Sequence, residues 1–319
     1  MNKNIDNHLD NVNLEQEIAK LKFKQNAVIL AHYYQDSEIQ DIADFIGDSL
    51  ELSKKAMVID ADIIVFCGVK FMAETAFILN PNKKILVPDL NAGCSLEQSC
   101  KAEAFQEFRK KYAEYKAITY INCSAEVKAL SDIIVTSSNA EKIINSIPST
   151  QPIMFSPDQH LGQYLIRKTN RPMLLWNGSC IVHESFSEQE LIKIKTIHPK
   201  ARIIAHPECT MQLLEYAEYI GSTSKLIDYV TRFDNEEFIV LTEPGIIHQM
   251  SKSSPNNIFY DVPSLNKSGC LHCSNCPYMK LNTLKKVYLC MLNQYPQINI
   301  NPIIVKQARK SLDNMLALS

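Results

Sequence analysis

Glycine is scarce in this chain: only 8 of its 319 residues are Gly. No two of them are spaced as GxGxxG and none fits GxxxxGKS/T, so the sequence lacks the usual dinucleotide and phosphate loops. An excess of positive charge is also missing, since 33 Lys and Arg face 35 Asp and Glu and the net charge is -2. This balance argues against a nucleic acid or an anionic membrane as a partner.

Long hydrophobic runs are absent as well. No apolar stretch approaches the roughly 18 residues of a membrane-spanning helix, and the polar N-terminal segment does not resemble a secretory signal. We therefore expect a cytoplasmic protein. With 46% apolar and 21% charged residues the composition is globular, and the length suggests about two or three domains.

A unit of alternating β-rich and helical segments recurs three times along the chain. In each copy the first β-rich run ends in a polar residue, and these residues lie 90 and 84 positions apart: His32, Asn122 and His206. A small hydroxyl follows 15 to 17 positions later, where a helix should begin: Ser49, Ser137 and Thr223. A further β-rich run lies at a similar distance from the strand-end residue in each copy, so we interpret the pattern as an internal repeat.

Each copy reads β-α-β-α-β, which predicts a parallel sheet with helices on both faces. The predicted fold class is therefore α/β, with three similar three-layer αβα domains around a pseudo-threefold axis. We expect a first domain of residues 1–94 plus 277–319, a second of 95–180 and a third of 181–276. The active site should lie at their central junction, and helices over 13–24, 279–292 and 302–318 should pack on the first domain.

Strand ends are where open α/β sheets bind ligands. The strand-end residues and the hydroxyls should therefore line a binding edge, with helix N-termini attracting anions. Each feature also has a structural interpretation. A hydroxyl before a helix is most often a plain N-cap, a strand-end His is often a structural hydrogen-bonder, and Tyr34 and Tyr120 could be core aromatics.

Ten cysteines in a chain expected to be cytoplasmic indicate metal binding or catalysis more than disulfides. Each repeat ends in at least one thiol: Cys94, Cys180, and the cluster Cys270, Cys273 and Cys276. Three convergent thiolates suit an iron–sulfur cluster with one iron lacking a protein ligand. The remaining cysteines are interpreted as core packing: Cys67, Cys100, Cys123, Cys209 and Cys290.

The third thiol is ambiguous from spacing alone. CxxCxxC followed by Pro is typical of iron–sulfur proteins, whereas a structural zinc ribbon would need a second CxxC pair that the sequence lacks. Cys270 fits the repeat register better than Cys276, but the Pro follows Cys276.

The chain resembles the quinolinate synthase family over roughly residues 25–285. The motifs that carry the resemblance include AHYYQ at 31–35, GDSLELS at 47–53, DLNAGCSL at 89–96, TYINCSAEVKA at 119–129, SPDQHLG at 156–162, HPEC at 206–209 and CPYMKLNTL at 276–284. The resemblance implies condensation of iminosuccinate with dihydroxyacetone phosphate to quinolinate, with loss of phosphate and water, for NAD biosynthesis. It also implies three αβα domains and a [4Fe–4S] cluster held by three Cys, and it selects Cys276 beside Cys94 and Cys180.

The same resemblance implies a set of site residues. Those of the substrate pocket would be His32, Ser49, Tyr120, Asn122, Ser137, His206, Glu208 and Thr223. Tyr34, Glu208 and His206 are the catalytic candidates, with Tyr34 in proton transfer and Glu208 as a general base. His183 should border the cluster, while Lys128 has no evident role. Iminosuccinate would come from an L-aspartate oxidase or an aspartate dehydrogenase.

Two other functions stay open at this point. The residue set also suits an open-iron dehydratase of other small polycarboxylates, and an iron–sulfur redox sensor would need a recognition module that is not evident. Cys270 and Cys273 are left over by the ligand assignment, and we hypothesise that they are reduced thiols or a redox-sensitive pair.

Overall fold

The computed structural model describes residues 13–265, 271–272 and 274–319. Two compact units make up the chain. Unit 1 is Met1–Gly93 with Pro277–Ile300, and unit 2 is Cys94–Cys276 with Asn301–Ser319.

Unit 1 is built on one parallel sheet. Its strands are β1 (Ala27–His32), β2 (Phe45–Gly47), β3 (Ile63–Cys67) and β4 (Lys84–Leu86). Its helices are α1 (Leu14–Lys24), α2 (Ser37–Ile42), α3 (Ser49–Val58) and α4 (Lys70–Leu79), and α14 (Leu284–Asn293) returns to it later in the chain. β1 and β3 are almost wholly buried apolar runs, because helices cover both faces of the sheet.

Unit 2 contains two further parallel sheets. The strands are β5 (Lys116–Tyr120), β6 (Ile133–Val135), β7 (Ile153–Ser156) and β8 (Leu174–Leu175), then β9 (Arg202–Ala205), β10 (Tyr219–Ile220), β11 (Glu237–Leu241) and β12 (Ile258–Asp261). The helices are α5 (Ser95–Ser99), α6 (Ala102–Lys111), α7 (Ala125–Leu130), α8 (Ala140–Ser146), α9 (Gln159–Thr169), α10 (Glu188–Ile197), α11 (Met211–Leu214), α12 (Thr223–Val230), α13 (Ile246–Ser253) and α15 (Pro302–Leu318). A small antiparallel pair, β13 (Ser264–Leu265) and β14 (Leu271–His272), lies beyond β12.

The three parallel sheets share one strand order, in which the second strand is followed by the first, third and fourth. These three parallel sheets with their flanking helices confirm the predicted α/β class and the three αβα domains. The shared order also puts the first strand beside the point where the order reverses, which is where such sheets form a ligand crevice at their carboxyl edge. The domain boundaries at 94, 180 and 276 and the common axis stay predictions.

The terminal helices lie at the predicted positions, but not all of them pack where we expected. Asn13 caps α1 and Asn301 caps α15, with Pro302 as its first residue, as expected. α1 and α14 pack on the sheet of unit 1 through Ile18 and Val287. The helix expected over 279–292 is divided into a short 3₁₀ turn, Met279–Leu281, and α14.

The prediction that the last helix packs on the first domain is wrong. α15 lies against α7 and β6 of unit 2, where Asn314 Nδ2 donates to the carbonyl of Asp132 at 2.9 Å. Its buried stripe contains Ala308, Leu312 and Met315. An apolar stripe shows that a helix buries one face, but the stripe does not specify which sheet receives it.

Two further expectations concern membrane-spanning helices and the cysteines. Across the described ranges, no helix is both apolar and long enough to traverse a lipid bilayer. Every cysteine in these ranges is a free thiol, and the five that were interpreted as packing are buried. Cys270 and Cys273 lie outside the described residues.

Candidate active site

Strand pairing explains why the polar residues recur at a fixed spacing. β5 and β6 end at the paired residues Tyr120 and Val135, and Asn122 and Ser137 each follow two positions later. Parallel partners have their carboxyl ends on one edge, so the two side chains leave the sheet together. In the other two sheets, β1 pairs with β2 and β9 pairs with β10 in the same parallel arrangement. The Oδ1 atom of Asn122 is buried and has no hydrogen-bond partner.

The predicted hydroxyls are not the caps of their helices. Ser49 and Thr223 are the first residues of α3 and α12, but the capping side chains are those of the preceding Asp48 and Ser222. The N-cap interpretation therefore does not account for these two hydroxyls. Ser137 departs from the expectation, because it lies in the turn before α8 rather than at its first residue.

His206 directly follows β9 and is 3% exposed. The backbone N–H of Glu208 donates to its Nδ1 atom at 3.4 Å, while the Glu208 carboxylate is farther away, at 3.8 Å. The closer contact favours Nδ1 as an acceptor. The proton of the neutral ring then lies on Nε2, which is 3.2 Å from the hydroxyl of Ser137.

Unit 1 repeats this turn around His32. The N–H of Tyr34 donates to His32 Nδ1 at 3.1 Å, and the N–H of Gln35 donates to the His32 carbonyl at 3.0 Å. The rings of His32 and Tyr34 pack edge to face with centroids 4.5 Å apart, and both are nearly buried. Both units therefore present an imidazole whose Nε2 atom is the donor of the neutral ring.

Glu208 is a buried charged residue of unit 2. Its Oε1 accepts a hydrogen bond from the Tyr120 hydroxyl at 2.6 Å, and its Oε2 lies 2.9 Å from His183 Nδ1. Burial alone would raise the pKa of Glu208. The attraction of His183 and His206 when their rings are protonated, together with hydrogen bonds from His183 and the Tyr120 hydroxyl, outweighs it and holds the pKa well below its usual value. Glu208 is therefore an anion at neutral pH that holds three neighbouring side chains in place.

One group of side chains in unit 2 could hold a metal ion. The ligand atoms of Cys180, His183 and Glu208 all lie within 4.8 Å of one another. His183 Nδ1 is 3.2 Å from the Cys180 sulfur, and its Nε2 is 2.9 Å from the hydroxyl of Thr242, which directly follows β11. The second ring nitrogen of His183 is thus engaged by a neighbour, as is common for imidazoles near metals.

The three predicted cluster thiols all belong to unit 2. Burial raises the pKa of Cys94 and of Cys180, and the charge of Cys276 raises each of them further. Cys180 and Cys276 both pack against the apolar core formed around β9 and β11. Backbone N–H groups of Glu97 and Leu96, at the start of α5, bond to the Cys94 sulfur and favour its thiolate form.

The chain was compared with known proteins. The family model described as quinolinate synthetase A protein matches residues 16–317. The chain belongs to this family. It is 60% identical over 311 residues to a quinolinate synthase of Ehrlichia chaffeensis, covering 98% of this chain and 99% of the relative. Quinolinate synthases of Microcystis aeruginosa and Cyanophora paradoxa are each 56% identical, covering 95% and 96% of this chain and 94% and 92% of the relatives.

Family membership confirms the resemblance stated from the motifs, and it shows that the chain is an enzyme of the quinolinate synthase type. The structure brings His183, His206, Glu208 and Tyr120 of the predicted set into direct contact. The separate roles of the site residues stay predictions.

Asp158 is a buried residue that the sequence reasoning missed. Its Oδ1 accepts the N–H of Leu161 and caps α9, whereas its Oδ2 is buried without a hydrogen-bond partner. Burial raises the pKa of Asp158 well above its usual value, and the negative charge of Glu208 raises it further. The residue stands in the SPDQHLG motif, but an Asp before a helix looks like an ordinary cap.

Proposed function

We propose that this chain is a quinolinate synthase, which condenses iminosuccinate with dihydroxyacetone phosphate to give quinolinate, phosphate and two waters. The observation that carries the proposal is the 60% identity to a protein of that name over 98% of the chain. The product would serve NAD biosynthesis in the cytoplasm. Iminosuccinate is supplied by oxidation of aspartate, the chemistry of an L-aspartate oxidase or an aspartate dehydrogenase.

We further propose that Cys94, Cys180 and Cys276 hold a [4Fe–4S] cluster. The donor set fits, because Cys276 raises the pKa of both Cys94 and Cys180, and such neighbouring thiolates need a cation to offset their charge. Three protein ligands leave one iron open, and an open iron supplies Lewis acidity for a leaving oxygen. The neighbouring Cys180, His183 and Glu208 group could instead hold a single ion, which metal analysis distinguishes.

The chain's own residues would bind the anionic substrates without a glycine-rich loop. The hydroxyls of Ser49 and Thr223 stand at helix N-termini whose caps are other residues, so they are available to phosphate or carboxylate oxygens. His206, and His32 in unit 1, would donate from Nε2. The buried, unpaired Oδ1 of Asn122 would accept from a substrate N–H or O–H.

Proton transfer is assigned to Tyr34, Glu208 and His206. The low pKa of Glu208 makes it a weak proton acceptor when its neighbours are in place. Its main contribution would therefore be to orient the side chains around it, with the hydroxyl of Tyr120 and the ring of His183 bound to its two oxygens. The proton that leaves during dehydration would then pass through His206, with Tyr34 as the acid of unit 1.

The test is an anaerobic assay of the iron-reconstituted protein with both substrates and detection of quinolinate by mass spectrometry. We expect quinolinate and phosphate in equal amounts. Thr223→Val tests the proposed substrate contact, and Ser222→Ala, which removes the adjacent hydroxyl at the start of the same helix, is its matched control. The first should impair turnover, and the second should mainly weaken the helix cap. An intact cluster without quinolinate formation would contradict the proposal and favour a dehydratase of other polycarboxylates.

A further inference from the structure

Lys128 is a fully buried lysine, 0% exposed, in the first helix after β5. Its ammonium Nζ donates to the carbonyl of Ile121 at 3.0 Å and to the carbonyl of Cys123. A buried ammonium costs several kcal/mol of lost hydration unless such acceptors surround it. An apolar side chain would fill the same space without that cost, so packing alone does not explain a lysine here.

The two carbonyls belong to a very tight turn. The N–H of Cys123 donates to the carbonyl of Ile121 at 2.8 Å, which closes a three-residue turn with Asn122 at its centre. The N–H of Ile121 donates to Val135 at the end of β6, also at 2.8 Å. The ammonium of Lys128 therefore binds the carbonyls of the two residues that flank Asn122, whose own Oδ1 is buried and unpaired.

Unit 1 contains an equivalent arrangement. Gln40, 1% exposed and also in the first helix after the first strand, donates its Nε2 to the carbonyls of Tyr33 and Gln35 at 3.0 and 2.8 Å. These are the residues on either side of Tyr34. In both units a buried donor from that helix thus holds the turn that presents a candidate site residue.

We infer that Lys128 is a positioning residue, whose ammonium clamps the turn around Asn122 so that Oδ1 meets a hydrogen-bond donor of the substrate. The inference rests on the proposed function, which makes Asn122 a substrate ligand. A fixed acceptor loses little conformational freedom on binding, and it leaves an unpaired buried oxygen unless an N–H or O–H arrives. The ligand group at this point is therefore a donor, an imine N–H or a hydroxyl, rather than a carboxylate.

The experiment is a double-mutant cycle on the reconstituted enzyme, with Lys128→Met, Asn122→Ala and the double variant. Two readouts are measured: kcat/KM with both substrates, and the dissociation constant of quinolinate by calorimetry. Lys128→Met should lower kcat/KM by on the order of 10²-fold, as expected for a displaced binding group. It should leave the dissociation constant of quinolinate within about twofold of wild type, because quinolinate has no N–H or O–H to donate to Oδ1. The double variant should be no worse than Asn122→Ala by more than about threefold, because Lys128 acts through Asn122.

Ser311→Ala is the matched structural control. The Ser311 hydroxyl donates to the backbone carbonyl of Lys128 at 2.8 Å, so its loss disturbs the packing of α7 but not the ammonium. This variant should lose stability and keep its kcat/KM. If Lys128→Met does not fold, Lys128→Leu, which also lacks a side-chain donor, replaces it in the cycle with the same thresholds. Lys128→Gln keeps side-chain N–H donors as Gln40 does, so it should retain more kcat/KM than either apolar variant.

Several outcomes would overturn the inference. They are a kcat/KM of Lys128→Met within about twofold of wild type, a full multiplicative loss of kcat/KM when Lys128→Met is added to Asn122→Ala, and a Ser311→Ala variant with the same kinetic defect. Each of these can occur while the wild type makes quinolinate, and then the proposed function stands. A wild type that holds its cluster but makes no quinolinate overturns the proposed function and this inference with it.

Discussion

The hydrogen bond from Tyr120 to Glu208 allows the most quantitative prediction. Tyr120→Phe removes only the hydroxyl that donates to Glu208 Oε1 at 2.6 Å, and the ring can stay in place. Both residues are almost fully buried, so water cannot replace the lost donor without rearrangement. The remaining partners of the carboxylate are His183 and His206.

The expected cost follows from the charge of the acceptor. Glu208 is ionised in the fold, and a hydrogen bond to a charged group contributes about 1.5–3 kcal/mol, against about 0.5–1.5 kcal/mol for a neutral pair. Tyr120→Phe should therefore lower the free energy of unfolding by about 2 kcal/mol in the wild-type background. In a Glu208→Gln background the same change should cost about 1 kcal/mol, which gives a coupling energy of about 1 kcal/mol.

Urea unfolding at pH 7 measures these values if the signal comes from unit 2. Trp176 is the single tryptophan of the chain and belongs to that unit. It packs against Phe105 and Phe108, and its indole N–H donates to the carbonyl of Ser99 at 3.2 Å. Its fluorescence should therefore follow the unfolding of the unit that contains Tyr120 and Glu208. The iron-free protein is used, so that cluster loss does not contribute.

The reasoning would be refuted by either of two results. One is a cost of Tyr120→Phe below about 0.5 kcal/mol, the level of an ordinary surface substitution. The other is an equal cost in the wild-type and Glu208→Gln backgrounds, because an ionised acceptor must be worth more than a neutral one.

Two further predictions concern a cap and a buried acid. Ser49→Ala should raise the KM for dihydroxyacetone phosphate about three- to tenfold and change the free energy of unfolding by less than about 0.5 kcal/mol. Asp48→Ala, which removes the helix cap, should lower the free energy of unfolding by about 0.5–2 kcal/mol. Equal destabilisation by the two variants would contradict the cap assignment. Asp158 has a raised pKa, so its stabilising contribution is present below about pH 3.8 and lost as the pH rises. Asp158→Asn should therefore gain on wild type by up to about 1.4 kcal/mol per pH unit as the pH rises from about 3.8 toward the folded-state pKa of Asp158, measured by urea unfolding. A pH-independent difference would refute this.

The repeat could be predicted from the sequence because it is written in local patterns. Strand runs such as 27–32 are continuously apolar, and a polar residue marks each strand end, so spacing alone predicts which residues share an edge. Identical strand order in three sheets then follows from right-handed crossovers. The motifs were long enough to identify the family, which the comparisons confirm.

What the sequence did not predict depends on contacts between distant segments. Lys128 looks like an exposed helical lysine until the turn at Ile121 is seen to surround its ammonium. The raised pKa of Asp158 arises from burial first and then from Glu208, which is 50 positions away in the chain. Likewise, the packing of α15 depends on which sheet has an uncovered face, and no pattern within 302–318 encodes that.

The measurement that tests the central claim most directly is anaerobic quantitation of iron and sulfide after reconstitution. We predict about four irons and four sulfides per chain, with loss of the cluster in Cys94→Ala, Cys180→Ala and Cys276→Ala. Cys100→Ala, which removes another buried thiol of unit 2, and Cys270→Ala should retain it. A single metal ion without sulfide, or a full cluster in any of the three ligand variants, would contradict the account.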